Sequence, residues 1–364
     1  MNKTHVNEIH WLRAIACLAV VSLHAITSGT TIYYPESFDK IGYILHIMQM
    51  GLMFGTPTFI FISEFLFAKN YKDGMPKGFF IKRLRYLGIP YVFMAMVYAI
   101  VFTENITWGS FTLETLKNIF IGDFVAYFIL IIFQFYILHH ILYKKLQNLN
   151  PKIPLIIAFL INSLYLAFFN FTSPPNNEIM EYIWTTGHWL PFPGWVFYFI
   201  LGFYCGKNYK EFLLLLNNRK NYLFLFFLVS FIGMIILKYF GLPSITSSKR
   251  IDIIFYTTSV IFLVLYYSSK IKYTPKFIFK ISKYSFSIYL LHKLITDTVG
   301  SITNNVIIHI IILFVISLLF SISVSFIINL IPFGKYLVGN LGKTPIQANQ
   351  LVRKRKGAVN SRTL

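Results

Sequence analysis

Arg13 and His24 stand eleven residues apart in an N-terminal stretch apolar enough to lie in lipid. On an α-helix that spacing turns the chain through about 1100°, within about 20° of three full turns, and climbs about 16 Å. The two side chains therefore share one face, with Cys17 and Ser28 near the same stripe. A charge near mid-bilayer costs about 2.5–3.5 kcal/mol on insertion scales, so ionisable residues held there point to function. A neutral imidazole in a dry site can take a proton from an attacking hydroxyl and later return it. The plain alternative is an arginine snorkelling to the headgroups and a histidine hydrogen-bonded to a neighbouring helix.

Two further groups carry possible chemistry. Lys82, Arg83 and Arg85 meet the start of a third apolar segment just before Pro90. They serve either as a membrane anchor or as a cradle for a phosphorylated donor, because guanidinium groups grip phosphate bidentately. Ser285, Tyr289, His292 and Thr296 follow one another at i, i+4, i+7 and i+11, a polar stripe that should face protein. Interhelical hydrogen bonding would explain that stripe equally well. Gln134 is expected to serve packing, and His139 and His140 to sit at a helix end among headgroups. His188 falls in an aromatic loop.

The elements that must hold these residues follow from composition. The chain has 364 residues, 56% hydrophobic and 13% charged, with mean hydropathy +0.62. A soluble domain carries about 25% charged residues. This excludes a water-soluble globule and predicts an all-α integral membrane protein. About ten segments have the roughly 20 apolar residues a transmembrane helix needs. They fall near 9–28, 44–68, 86–103, 119–143, 153–171, 192–206, 221–240, 251–269, 284–303 and 306–332. With both termini cytoplasmic, the inner segments hold 26 of the 33 Lys and Arg and the outer loops four, Lys40, Lys117, Lys249 and Arg250. That asymmetry obeys the positive-inside rule. It also assigns the +20 net charge to the anionic face of a lipid bilayer, with no nucleic acid as partner. Residues 1–333 form the membrane domain and 334–364 a basic cytoplasmic tail, whose Arg353, Lys354, Arg355 and Lys356 are expected to rest on anionic lipid. The longest outer loop is 172–191. Cys17 and Cys205 read as buried thiols, and no ligand spacing supports a metal site.

The set Arg13 and His24, the run Thr58-Phe59-Ile60-Phe61-Ile62-Ser63, the Lys82-Arg83-Leu84-Arg85 cluster and Tyr289-Leu290-Leu291-His292 resembles the integral-membrane acyltransferase family 3 over nearly the whole chain. Phe54-Gly55-Thr56-Pro57, the stretch Gly122 to Phe128, Gln134-Phe135-Tyr136 and the stretch Gly194 to Phe199 are similar to the C-protein group of intercellular-adhesion (poly-N-acetylglucosamine) polysaccharide systems. The resemblance implies a ten-helix bacterial plasma-membrane enzyme. It would move an acyl group, acetyl or succinyl, from cytoplasmic acyl-CoA to a hydroxyl of an envelope or extracellular glycan. Acyl-CoA would be a donor substrate and no cofactor would be resident. Arg13 and His24 would be catalytic, and Lys82, Arg83 and Arg85 would bind CoA. Partners would be the glycan or lipid-linked glycan acceptor, the bilayer and glycan synthase subunits. The alternative is an exporter or translocation subunit for a surface polysaccharide, although neither an internal repeat nor a GxxxxGK[ST] loop is present.

One residue departs from the family. Where many members have Ser-Gly before an aromatic, this chain has Ser63-Glu64-Phe65. Glu64 and Arg13 fall at similar depth on adjacent segments, so an ion pair between them is expected to offset the desolvation of both. Ser285, Tyr289 and His292 are expected to support the reaction, the last two as hydrogen-bond donors.

Overall fold

The computed structural model describes residues 6–36, 39–71, 74–174 and 176–341. Lys3, Asp73, Pro175 and the tail with Arg353, Lys354, Arg355 and Lys356 lie outside the described residues. Among those described, every regular element is helical.

The helices are α1 (Asn7–Tyr33), α2 (Lys40–Gly51), α3 (Gly55–Asn70), α4 (Phe79–Arg83), α5 (Ile89–Phe102), α6 (Trp108–Phe120), α7 (Phe128–Asn148), α8 (Lys152–Phe171), α9 (Glu178–Trp189), α10 (Val196–Lys207), α11 (Tyr209–Asn218), α12 (Lys220–Tyr239), α13 (Ile253–Ser269), α14 (Lys276–Thr296) and α15 (Val306–Leu330). Seven helical stretches are long and apolar enough to cross a bilayer, and α10 and α13 are apolar but shorter. The chain is therefore a multi-pass membrane protein, and each expected segment contains a helix. Several boundaries differ. The second segment breaks at Leu52–Phe54 into α2 and α3. The ninth begins at Lys276, directly after Pro275, and ends at Thr296. The fourth begins only at Phe128, because α6 is a separate amphipathic helix. The outer loop 172–191 contains α9, capped by Asn177. The polar stretch before Val306 does end one helix and start the next, with Asn305 accepting from the amides of Ile307 and Ile308.

Lipid gives helices no hydrophobic reason to associate, so close backbone approach has to hold them. Gly202 and Gly206, four apart on α10, supply it. A Cβ on Gly202 would stand 2.6 Å from the Phe61 carbonyl oxygen of α3, and one on Gly206 would press closer still on that of Phe65. Trp195, Tyr198, Phe199 and Phe203 fill the core around this seam. α1 is the central helix, touching α2, α3, α13, α14 and α15. At the periphery, only 17% of the apolar window of α12 is buried, which leaves its other faces to lipid.

The chain stays packed past residue 333. Val338 is fully buried, its carbonyl accepts from Ser287 Oγ at 2.7 Å, and Asn329 Nδ2 donates to the Gly339 carbonyl at 3.2 Å. Gly339 turns the backbone at φ 96°, with Phe286 occupying the space a side chain would need. The described part of the tail is thus a strap across the bundle end that carries most basic loops.

Candidate active site

A cavity of about 540 Å³ opens between α1, α3, α4, the turn that follows α4, α7 and α14. Four cations line it: Arg13 from α1, Lys82 and Arg83 from α4, and Lys283 from α14. No carboxylate lines it, and none of the four joins an ion pair among the described residues. Such a cluster repels itself until an anion neutralises it. Arg83 stacks its guanidinium over Phe79 at 5.0 Å and Tyr136 at 5.3 Å. Stacking fixes the plane and leaves the N–H edges available for a phosphate. Between α4 and α5 the backbone makes a single π-helical turn, Leu84–Gly88, which sets Tyr86 in the cavity wall. Ser63, Tyr136, Ser285 and Tyr289 add hydroxyls, and Asn340 of the strap joins the lining.

His24 does not line this cavity. The lining includes Val20, one helical turn before His24, and Tyr289, one turn before His292. Beyond them the His24 and His292 rings meet, centroids 5.1 Å apart and planes tilted by 50°. His292 is fully buried. Next to it Lys293 pairs with Asp297 at 2.9 Å. A cationic chamber thus stops one turn short of two apposed imidazoles.

Residues 6–330 match the acyltransferase domain family, acyltransferase family 3. The chain belongs to this family. It is 42% identical to a Bacillus subtilis (strain 168) protein provisionally named membrane-bound acyltransferase YfiQ, over 79% of this chain and 80% of that one. It is 30% identical to the "Probable poly-beta-1,6-N-acetyl-D-glucosamine export protein" of Staphylococcus aureus (strain MSSA476), over 82% and 84%. The protein of the same name from Staphylococcus epidermidis is also 30% identical, over 82% and 83%. No solved structure matches.

Set in this family's bundle, the expected site residues divide. Arg13, Lys82, Arg83, Ser285 and Tyr289 converge on one cavity. Arg85 is exposed and outside the lining, because two residues along a helix turn a side chain by about 200° from Arg83. Lys283, which the sequence reading passed over as one inner lysine among many, takes its place. The stripe on α14 faces protein throughout, with Ser285, His292 and Thr296 buried. Tyr289 is not a free donor. Its hydroxyl donates to the Val125 carbonyl and accepts from the Phe128 amide at 3.3 Å. His292 is not a donor toward the site either, since its Nδ1 lies against the Ile288 and Tyr289 carbonyls.

The expected pair of Glu64 with Arg13 is absent. Glu64 Oε1 instead meets His139 Nδ1 at 2.6 Å, with both residues buried. Ser63 lines the cavity beside Arg13, and Glu64, a further 100° around α3, faces α7. His139 is accordingly a buried partner, where headgroup contact was expected. A carboxylate in an apolar helix demands a polar partner, and that demand was the available signal. Gln134 does serve packing, between the Leu190 carbonyl and the Phe192 amide. Both cysteines are buried and free.

Proposed function

We propose that the protein is an O-acyltransferase of the bacterial plasma membrane with ten spans and cytoplasmic termini, taking acetyl or succinyl groups from acyl-CoA to a glycan hydroxyl. The observation that carries this reading is the four-cation, carboxylate-free cavity that ends one helical turn below His24. CoA is a polyanion with a long neutral arm. Arg13, Lys82, Arg83 and Lys283 hold its phosphates, Arg83 with its plane fixed between two rings. The arm passes between Val20 and Tyr289, which have to part by a side-chain movement, and delivers the thioester to His24. His24 accepts the proton of the attacking hydroxyl as the C–O bond forms and the C–S bond breaks. It then returns that proton to the departing thiolate. Because the site is enclosed by helices, water competes poorly with the acceptor.

The test is acyl transfer from labelled acetyl-CoA or succinyl-CoA to glycan by purified protein in vesicles. His24→Ala is expected to insert normally and lose transfer by a factor of about 10²–10⁴. Lys82→Ala and Lys283→Ala should each raise the donor KM about tenfold, the equivalent of about 1.4 kcal/mol. Arg85→Ala should leave it within about twofold. Full activity in His24→Ala refutes the assignment.

The relatives named as poly-beta-1,6-N-acetyl-D-glucosamine export proteins favour a second reading, a translocation subunit for a surface polysaccharide. Deleting the gene separates the two. Loss of ester groups from a normal amount of glycan supports transfer, and intracellular accumulation of glycan supports export.

A further inference from the structure

We propose that His292 is the positioning residue for His24, acting as a hydrogen-bond acceptor that fixes the catalytic tautomer; this rests on the acyl-transfer reading above. His292 Nδ1 lies 2.9 Å from the Ile288 carbonyl oxygen and 3.0 Å from that of Tyr289. Carbonyl oxygens only accept, so Nδ1 carries the hydrogen. In the neutral ring Nε2 is then a bare lone pair. Nε2 is buried and has no partner among the described residues, although the residue as a whole is fully enclosed. A buried acceptor left without a donor is unfavourable, so such an atom in a packed core calls for a function.

The ring apposed to His292 is that of His24, 5.1 Å away between centroids. The other groups around the pair are already engaged. Lys293 is tied to Asp297, which also accepts from Thr296 Oγ1 at 2.9 Å. From α5, the Tyr98 hydroxyl donates to the Leu290 carbonyl at 3.1 Å. Tyr289 is held by Val125 and Phe128. This leaves the N–H of His24 as the donor suited to His292 Nε2. A small closure of the two rings makes that bond, and the opposite nitrogen of His24 is then the one that faces the acceptor hydroxyl as a base.

The proton balance is simple. The hydroxyl proton moves to the free nitrogen of His24, and His24 becomes an imidazolium whose other N–H is held by His292 Nε2. The thiolate released from the donor takes the proton back. His292 keeps its own Nδ1 hydrogen throughout, anchored to α14, and makes no contact with substrate. Its part is the geometric one that a buried acceptor plays for any catalytic histidine.

Steady-state transfer in reconstituted vesicles tests this with four variants. His292→Ala should lower kcat about 100-fold while the donor KM stays within about twofold. His292→Gln, whose amide oxygen can still accept, should recover about tenfold of that loss. In the double variant His24→Ala/His292→Ala the loss should match that of His24→Ala alone, because the two residues act as a unit. The proposal is overturned by an unchanged kcat in His292→Ala, by equal losses in the Ala and Gln variants, or by losses that multiply in the double variant. A His24→Ala protein with full activity would instead remove the acyl-transfer site itself, and His292's role with it.

Discussion

Glu64 and His139 show what a single buried pair contributes when nothing else can solvate it. The carboxylate and imidazole meet at 2.6 Å with 3% and 1% of their surfaces exposed. Removing one partner leaves the other stranded, whereas a neutral mimic keeps the hydrogen bond. His139→Leu, which leaves a buried carboxyl without its partner, is therefore expected to destabilise the protein by about 2–3 kcal/mol. Glu64→Gln should change stability by less than about 1.5 kcal/mol. Thermal unfolding in detergent distinguishes them, and a His139→Leu protein as stable as the parent would show that the pair has no structural weight. The pair also marks the limit of sequence reading at this scale. Depth along a helix follows from residue number, so the equal depth of Arg13 and Glu64 was legible. Azimuth follows only where a second residue marks the same face, as His24 does for Arg13. Glu64 had no such companion within α3, and the 100° step from Ser63 put it on the far side. The same ambiguity exchanged Arg85 for Lys283.

At the scale of elements, the apolar segments were readable because lipid admits few alternatives to a helix. What could not be read was where amphipathic helices interrupt them. The end of α6 and the start of α7 form one apolar run in composition, yet Gly122 turns the backbone at φ 75° between them. Nor does composition reveal which helices touch. Gly202 and Gly206 could have served any neighbour, and they serve α3, which in turn presents Ser63 to the cavity and Glu64 to His139. Because the atom opposing Gly206 is a backbone carbonyl of Phe65, no rotamer change can make room. Gly206→Val should accordingly cost about 3 kcal/mol or more. It should also lower the yield of inserted protein. A half-buried control such as Gly233→Val, whose added Cβ meets nothing within 4 Å, should be tolerated, since valine is no worse a helix former than glycine. Equal behaviour of the two variants would mean that the α3–α10 seam does not hold the site in place.

For the whole molecule, the distribution of charge decides which compartment the cationic cavity can meet. The cavity takes its lysines and arginines from the same end as the basic loops, and the strap that closes its wall arises at that end as well. The proposed function requires this end to face the cytoplasm, the side the positive-inside rule assigns it, so that an acyl-CoA donor can reach the cations while the acidic loops face the proposed glycan acceptor. The two buried native thiols make the orientation directly measurable. Trp108, at the start of α6, is 84% exposed, and Tyr273, between α13 and α14, is 83% exposed. A membrane-impermeant maleimide applied to intact cells should label Trp108→Cys at once and Tyr273→Cys only after lysis. The parent protein should stay unlabelled under both conditions. The reverse pattern would turn the four cations toward the outside, where no acyl-CoA is available. The donor would then have to be an extracellular or lipid-borne anion, and His24 would be approached by acceptor from the cytoplasm.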